Sequence, residues 1–307
     1  MTEHLTSEAV NVPDSRKISN SEVSTWLVCQ RQYYYQFDLA LEPINFSEAL
    51  SRGLLGHEVL AVYYKALQEG EEWEIAAHKA RQYLGNFMGG SKYDLAIVLE
   101  VDRILQGYWA YTQGDPDWKI LHVEEQFDVF FTTEFEFSMR LDLLVQDTTT
   151  GEVILVDHKF VYDFWSQDDL ALNPQLPKYI GALRVNGFKV DRALLNQLRY
   201  RKLKEPTPER LFVRESYAPS NAKVVNVVRD QITKSQEIMR WKSLPLEERA
   251  QRATRILNKV VCRDCPVKHL CAQELDGAPL DYLIQNEFKP REYGYNEPST
   301  ASLENLI

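Results

Sequence analysis

Between residues 19 and 112 the apolar positions repeat at helical spacing. The Ser/Asn-rich ISNSE opens a helix that continues through 23–37, with Ser19 or Ser21 as N-cap and Trp26, Cys29 and Tyr33 on one face. Further helices are predicted over about 49–70, 73–88 and 91–112, the last closed by the GDPD turn. From 119 the period changes to two. Leu121, Val123, Phe127, Val129 and Phe131 share one face of a strand over 119–131; Glu125 interrupts that face, and Glu124 falls on the opposite, polar one. Strands over 134–146 and 152–160 follow, joined as a hairpin across TTTG at 148–151. A helix from about 174 to 186 starts at Asn173 with Pro174 behind it, and a strand covers 189–202. Helices over 219–241 and 246–260 come last. Residues 1–18 read as disordered and 276–307 as an acidic, partly ordered tail. The pattern predicts an α/β fold with a mixed central sheet flanked by helices, organised as one domain over 19–275. Its helical part is 19–115, its core sheet and helix 119–202, and its C-terminal helices and cysteine cluster 215–271.

The hairpin carries the candidate chemistry. In EVILVDHKF (152–160) alternation puts Asp157 and Lys159 on the same side of an otherwise apolar strand, and RLDLLV supplies Asp142 one strand back. Two carboxylates can hold a hard divalent cation, with a lysine beside the water that the cation polarises. That combination suits phosphodiester hydrolysis; a salt-bridged strand end is the plain alternative. A carboxylate at Glu125, among inward-facing apolar residues, calls for a partner and is a further candidate.

Charge changes the picture by its distribution. The net charge of −10 argues against non-specific coating of nucleic acid. Yet 119–169 holds three Lys/Arg against twelve Asp/Glu, while 184–214 holds nine against three and 240–271 eight against three. One part is fitted to cations and the others to phosphates, or the basic runs are simply solvated faces. No apolar run approaches the ~18 residues of a membrane span, and the N-terminal stretch lacks the apolar centre of a signal peptide, so a cytoplasmic protein is expected. In that setting cysteines serve as metal ligands, catalysts or buried thiols rather than disulfides. Cys262-x2-Cys265-x5-Cys271, with Cys29 far upstream, uses all four cysteines in one pattern. Four-cysteine sets hold zinc or an iron–sulfur cluster. A triad with one distant partner looks less like a zinc ribbon than like a cluster tying distant segments together.

Taken in order, these motifs resemble the RecB-like nucleases of the PD-(D/E)XK superfamily. The likeness is greatest to the subgroup with an iron–sulfur staple, which includes the CRISPR-associated exonuclease family, the AddB nuclease domain and many phage exonucleases. SEVSTWLVCQRQYYYQF is similar to that family's opening helix, with Cys29 as first cluster ligand and Arg31 two residues on. GLLGHEVL resembles its G-x-x-x-H step, RLDLLV and VDHKF carry its carboxylates and lysine, and QLPKYIGAL matches its Q-x3-Y motif as Gln175 and Tyr179. The departures are Asp rather than the more frequent Glu at 157, and His158 where an apolar or aromatic residue is usual.

The resemblance implies a restriction-endonuclease-like core with C-terminal helices closed by a [4Fe-4S] cluster on Cys29, Cys262, Cys265 and Cys271. It further implies Mg2+ or Mn2+ held by His57, Asp142 and Asp157, and Lys159 acting on the coordinated water. Gln175 and Tyr179 would position the lysine or a phosphate, and Glu125 would reach the metal through water. Arg31, Tyr33, Arg199 and Arg201 are then candidates for contact with DNA, which would be single-stranded or presented as ends. The implied activity is exonucleolytic; a catalytically weak DNA-end-binding or assembly module of the same fold is the alternative. GNFMGGSKY (85–93) has the wrong residue order for a phosphate loop and lies between helices. Any duplex unwinding therefore falls to a partner such as a helicase, a recombination factor or a CRISPR-adaptation protein.

Overall fold

The computed structural model describes residues 17–89 and 92–291; of the disorder expected for 1–18, residues 1–16 lie outside them, as does most of the acidic tail (292–307), while Lys17 and Ile18 belong to a strand. In chain order the first elements are β1 (Lys17–Ser19), α1 (Asn20–Val28), α2 (Gln30–Tyr33), β2 (Leu41–Pro43), α3 (Glu48–Gln68), α4 (Trp73–Gly85) and α5 (Leu95–Thr112). The sheet region follows with β3 (Trp118–Val129), β4 (Glu136–Asp147), β5 (Val153–Val161), α6 (Gln167–Leu172), α7 (Gln175–Val185), β6 (Val190–Arg199), α8 (Pro208–Leu211) and β7 (Phe212–Tyr217). The chain continues through α9 (Asn221–Lys242), α10 (Leu246–Arg252), α11 (Lys259–Arg263), α12 (Lys268–Leu275), α13 (Asp281–Glu287) and β8 (Phe288–Pro290). Among the described residues no helix is long and apolar enough to cross a membrane.

Two compact units emerge. Among the described residues, the first draws on 17–47, Phe130–Ser138 and 230–291, the second on 48–89, 92–129 and Met139–Arg229. The second holds a mixed sheet, β4-β5-β6-β7 with β3 on β4. β4–β5 and β6–β7 are antiparallel and β5–β6 parallel. The parallel pair needs a crossover, which α6 and α7 supply. Asn173 starts α7 as expected: its Oδ1 accepts the N–H groups of Gln175 and Leu176. Leu143, Val145, Ile154, Val156, Leu194 and Leu198 join α3, α4 and α5 in one apolar core. Alternation then turns Asp157 to the opposite face of the sheet, toward Gln175 of α7. The sequence reading missed β7, whose LFVRESY has too little alternation to stand out.

In the first unit β1 runs parallel to the first three residues of β4, and β2 pairs antiparallel with β8. Ser19 is the N-cap of α1, in a reciprocal capping box with Glu22. The helix predicted through 23–37 breaks at Cys29, which is extended (φ −163°, ψ 120°). The break has a long-range cause: Arg31 N–H donates to Thr254 O rather than to its own helix. The same contact explains why the helix predicted over 246–260 stops at Arg252. Ala253–Asn258 forms no regular helix, and Leu257 takes a left-handed φ of 49°.

Candidate metal centre and cysteine site

The second unit gathers the motif residues. His57 projects from α3, and its Nδ1 lies 3.4 Å from Asp142 Oδ1 and 3.6 Å from Glu124 Oε1. His57, Glu124 and Asp142 offer ligand atoms that all lie within 4.8 Å of one another. On the neighbouring strand Lys159 Nζ is 2.7 Å from Asp157 Oδ2, and Gln175 Nε2 donates to Asp157 Oδ1 at 3.2 Å. Tyr179, one turn further along α7, is buried. Asp142 Oδ2 accepts the backbone N–H of His158 at 2.7 Å, just beyond the Leu143–Val156 pair of the β4–β5 ladder.

Position 56 lets α3 come close enough. A side chain on Gly56 would meet the Phe160 ring of β5 at 2.2 Å, so only glycine allows His57 its place over the sheet. Gly56→Val should cost about 1–3 kcal/mol through overpacking and displace His57. Thermal melting together with Mn2+ titration would show both effects, and an unchanged Mn2+ affinity would contradict the placement.

The carboxylates govern the charge of this site. Burial disfavours the charged form of His57, but the nearby Asp142 and Glu124 push it up to about 10. Burial likewise works against ionised Asp142, yet His57 and Lys159 hold it well below the usual carboxylate range. Asp157 is raised by burial despite Lys159. Lys159, though partly buried, is raised by Asp157 and Asp142, so it carries a proton at neutral pH. It is therefore a donor and a fixed positive charge rather than a base.

Three sequence expectations need correction. Glu124, not Glu125, faces His57. Glu124 takes a left-handed φ of 47°, which breaks the alternation of β3 and sends Glu125 outward to His122. Asp157 was expected in the ligand set, but the three groups that converge are His57, Glu124 and Asp142. Arg31 and Tyr33 were expected at a DNA surface and instead are interior. The Arg31 guanidinium bonds Ala250 O and Glu274, and Tyr33 Oη donates to Glu22. Arg199 and Arg201 lie over the rings of Phe164 and Tyr162, and both pair with Asp163.

In the first unit Cys29, Cys262, Cys265 and Cys271 line one cavity of about 380 Å3. None of the four forms a disulfide. Apolar side chains, among them Val261, Val267 and Leu275, complete the wall, and Arg255 and Lys268 add positive charge beside the thiols. The break at Cys29 leaves the Arg31 N–H free to donate to Thr254 O, and Cys29 Sγ lies 3.8 Å from the same carbonyl. Four thiols around an apolar hollow, with cations beside them, fit an iron–sulfur group in donor type and in charge.

A model of the PD-(D/E)XK nuclease superfamily matches residues 17–272, and the chain belongs to that superfamily. Members of this superfamily use divalent metals and act on DNA, and the His57–Glu124–Asp142 group suits such an ion. Similar solved structures include that of SSO0001, 11% identical, with 85% of this chain and 87% of that chain covered at a TM-score of 0.40. A protein from Eubacterium rectale, provisionally named an exonuclease, is 13% identical, with 86% and 94% covered at a TM-score of 0.49. No curated protein matches the chain.

Proposed function

We propose that this protein is a Mg2+- or Mn2+-dependent DNA exonuclease of the iron–sulfur-stapled subgroup. The observation that carries the reading is the convergence of His57, Glu124 and Asp142 beside the Asp157–Lys159–Gln175 cluster. His57, Glu124 and Asp142 hold the cation. When bound, the ion lowers the pKa of a coordinated water and makes it nucleophilic. Asp157 and Gln175 keep Lys159 in place, and its ammonium orients that water and stabilises charge on the scissile phosphate. Tyr179 packs behind Gln175 with its phenol kept protonated by burial. Arg199 and Arg201, with Tyr162 and Phe164, offer a cationic and aromatic surface to a single strand.

In this reading the four cysteines hold a [4Fe-4S] cluster that braces the first unit and takes no part in hydrolysis. Digestion of end-labelled DNA, single-stranded and duplex, with Mn2+ tests the activity, and 5′- and 3′-blocked substrates give its polarity. Release of mononucleotides or short products from one end supports the proposal. If DNA is bound but not degraded, the chain is a DNA-end-binding module and the enzymatic reading is wrong.

A further inference from the structure

His158, the residue between Asp157 and Lys159, is 2% exposed, an unusual place for an imidazole. In the sheet register it pairs with Asn196 of β6, and Asn196 pairs with Arg214 of β7. The three side chains form a lateral ladder. Arg214 Nε donates to Asn196 Oδ1 at 3.3 Å, and Asn196 Nδ2 faces His158 Nδ1 at 2.7 Å. Because Arg214 claims the amide oxygen, the amide nitrogen must face His158. The imidazole nitrogen there must accept, so the ring is the neutral tautomer with its proton on Nε2.

The outer end of the ladder is clamped. Arg214 bonds both oxygens of Asp115, at 2.5 and 3.0 Å, and the Tyr108 hydroxyl at 2.8 Å. Tyr108 also accepts from Asn196 and bonds Tyr64, whose ring stacks on His158 at 5.4 Å. Asp115 is delivered by the turn after α5, where Gln113, Gly114 and Asp115 are all left-handed. Burying an ion pair and an amide costs free energy that an apolar replacement would avoid. The other end of the ladder points to a use, because the backbone N–H of His158 holds Asp142.

We propose that Asn196, Arg214 and Tyr108 are positioning residues: they lock His158, and the backbone N–H of residue 158 keeps the Asp142 carboxylate turned toward His57 and Glu124. The proposal rests on the metal-binding reading of that site and deepens it. Groups that orient metal ligands typically change metal affinity by about 10–100-fold when removed. Asn196→Leu keeps the branched shape and loses the bonds, and Tyr108→Phe loses only the clamp.

Direct Mn2+ binding by electron paramagnetic resonance, alongside the Mn2+ dependence of DNA degradation, reads the effect. Asn196→Leu should weaken Mn2+ binding at least ~10-fold and Tyr108→Phe about threefold. The midpoint in Mn2+ should move by the same factors, with the rate at saturating Mn2+ largely retained. A folded Asn196→Leu with wild-type Mn2+ affinity overturns the proposal. So does unchanged affinity in Tyr108→Phe should Asn196→Leu not fold, and so does a loss of rate at saturating Mn2+ without a change in affinity. If the wild type binds no Mn2+, the reading of the site itself fails; if it binds normally and the variants match it, only the role of the ladder does.

Discussion

Replacing Lys159 by alanine should reduce metal-dependent DNA degradation by at least about 100-fold, the usual effect of removing one preorganised charge from a developing oxyanion. DNA binding and Mn2+ affinity should change far less, because Lys159 lies beside the proposed ligands rather than among them. Single-turnover digestion at saturating Mn2+ separates these quantities, and equal rates for wild type and Lys159→Ala would remove the lysine from the reaction. The variant should also show a pH signature. Asp157 is already raised by burial, and losing its ammonium partner raises it further. A carboxyl with a raised folded-state pKa stabilises the fold at low pH only. The metal-free variant should therefore lose stability relative to wild type as the pH rises above about 4, where the unfolded chain ionises. Thermal melts from pH 4 to 8 measure that loss.

Cys265→Ser should have the largest effect on folding. Structural metal centres contribute on the order of 10 kcal/mol of apparent folding free energy, as much as the roughly 5–15 kcal/mol net stability of a whole domain. Thr254 and Gln30 tie the Cys29 segment to the chain before Cys262, and Arg31 and Arg255 both reach Glu274. Protein purified without oxygen should be brown with broad visible absorption, and Cys265→Ser should be pale, iron-poor and poorly soluble or early-melting. A colourless wild type containing stoichiometric zinc would replace the cluster by a zinc site. A brown Cys265→Ser with wild-type melting would show that Cys265 is not a ligand.

The motifs were legible because each is local. A D-x-K step needs only alternation along one strand, and Gln175 and Tyr179 need only one helical turn. Asp157, Lys159 and Gln175 accordingly stand together. What the sequence hid are places where a distant contact overrides a local rule. Glu124 displaced Glu125 because one left-handed residue resets the period of β3, and no composition signal marks it. Arg31 and Tyr33 read as a basic and aromatic surface, yet their partners Ala250, Glu274 and Glu22 make them interior. The second glycine of GLLGHEVL could have been singled out: beside His57, a residue without Cβ signals close approach to another element, and that element is Phe160. His158 was expected to point away from the metal cluster, yet its ring lies 6.4 Å from that of His57 and stacks on Tyr64 of the same helix.

Anomalous diffraction from crystals grown with Mn2+ tests the central claim most directly. A manganese peak within bonding distance of His57 Nδ1 and of carboxylate oxygens from Glu124 and Asp142 is the predicted result. Manganese bound elsewhere, with these three side chains left pointing at one another through water, would contradict it.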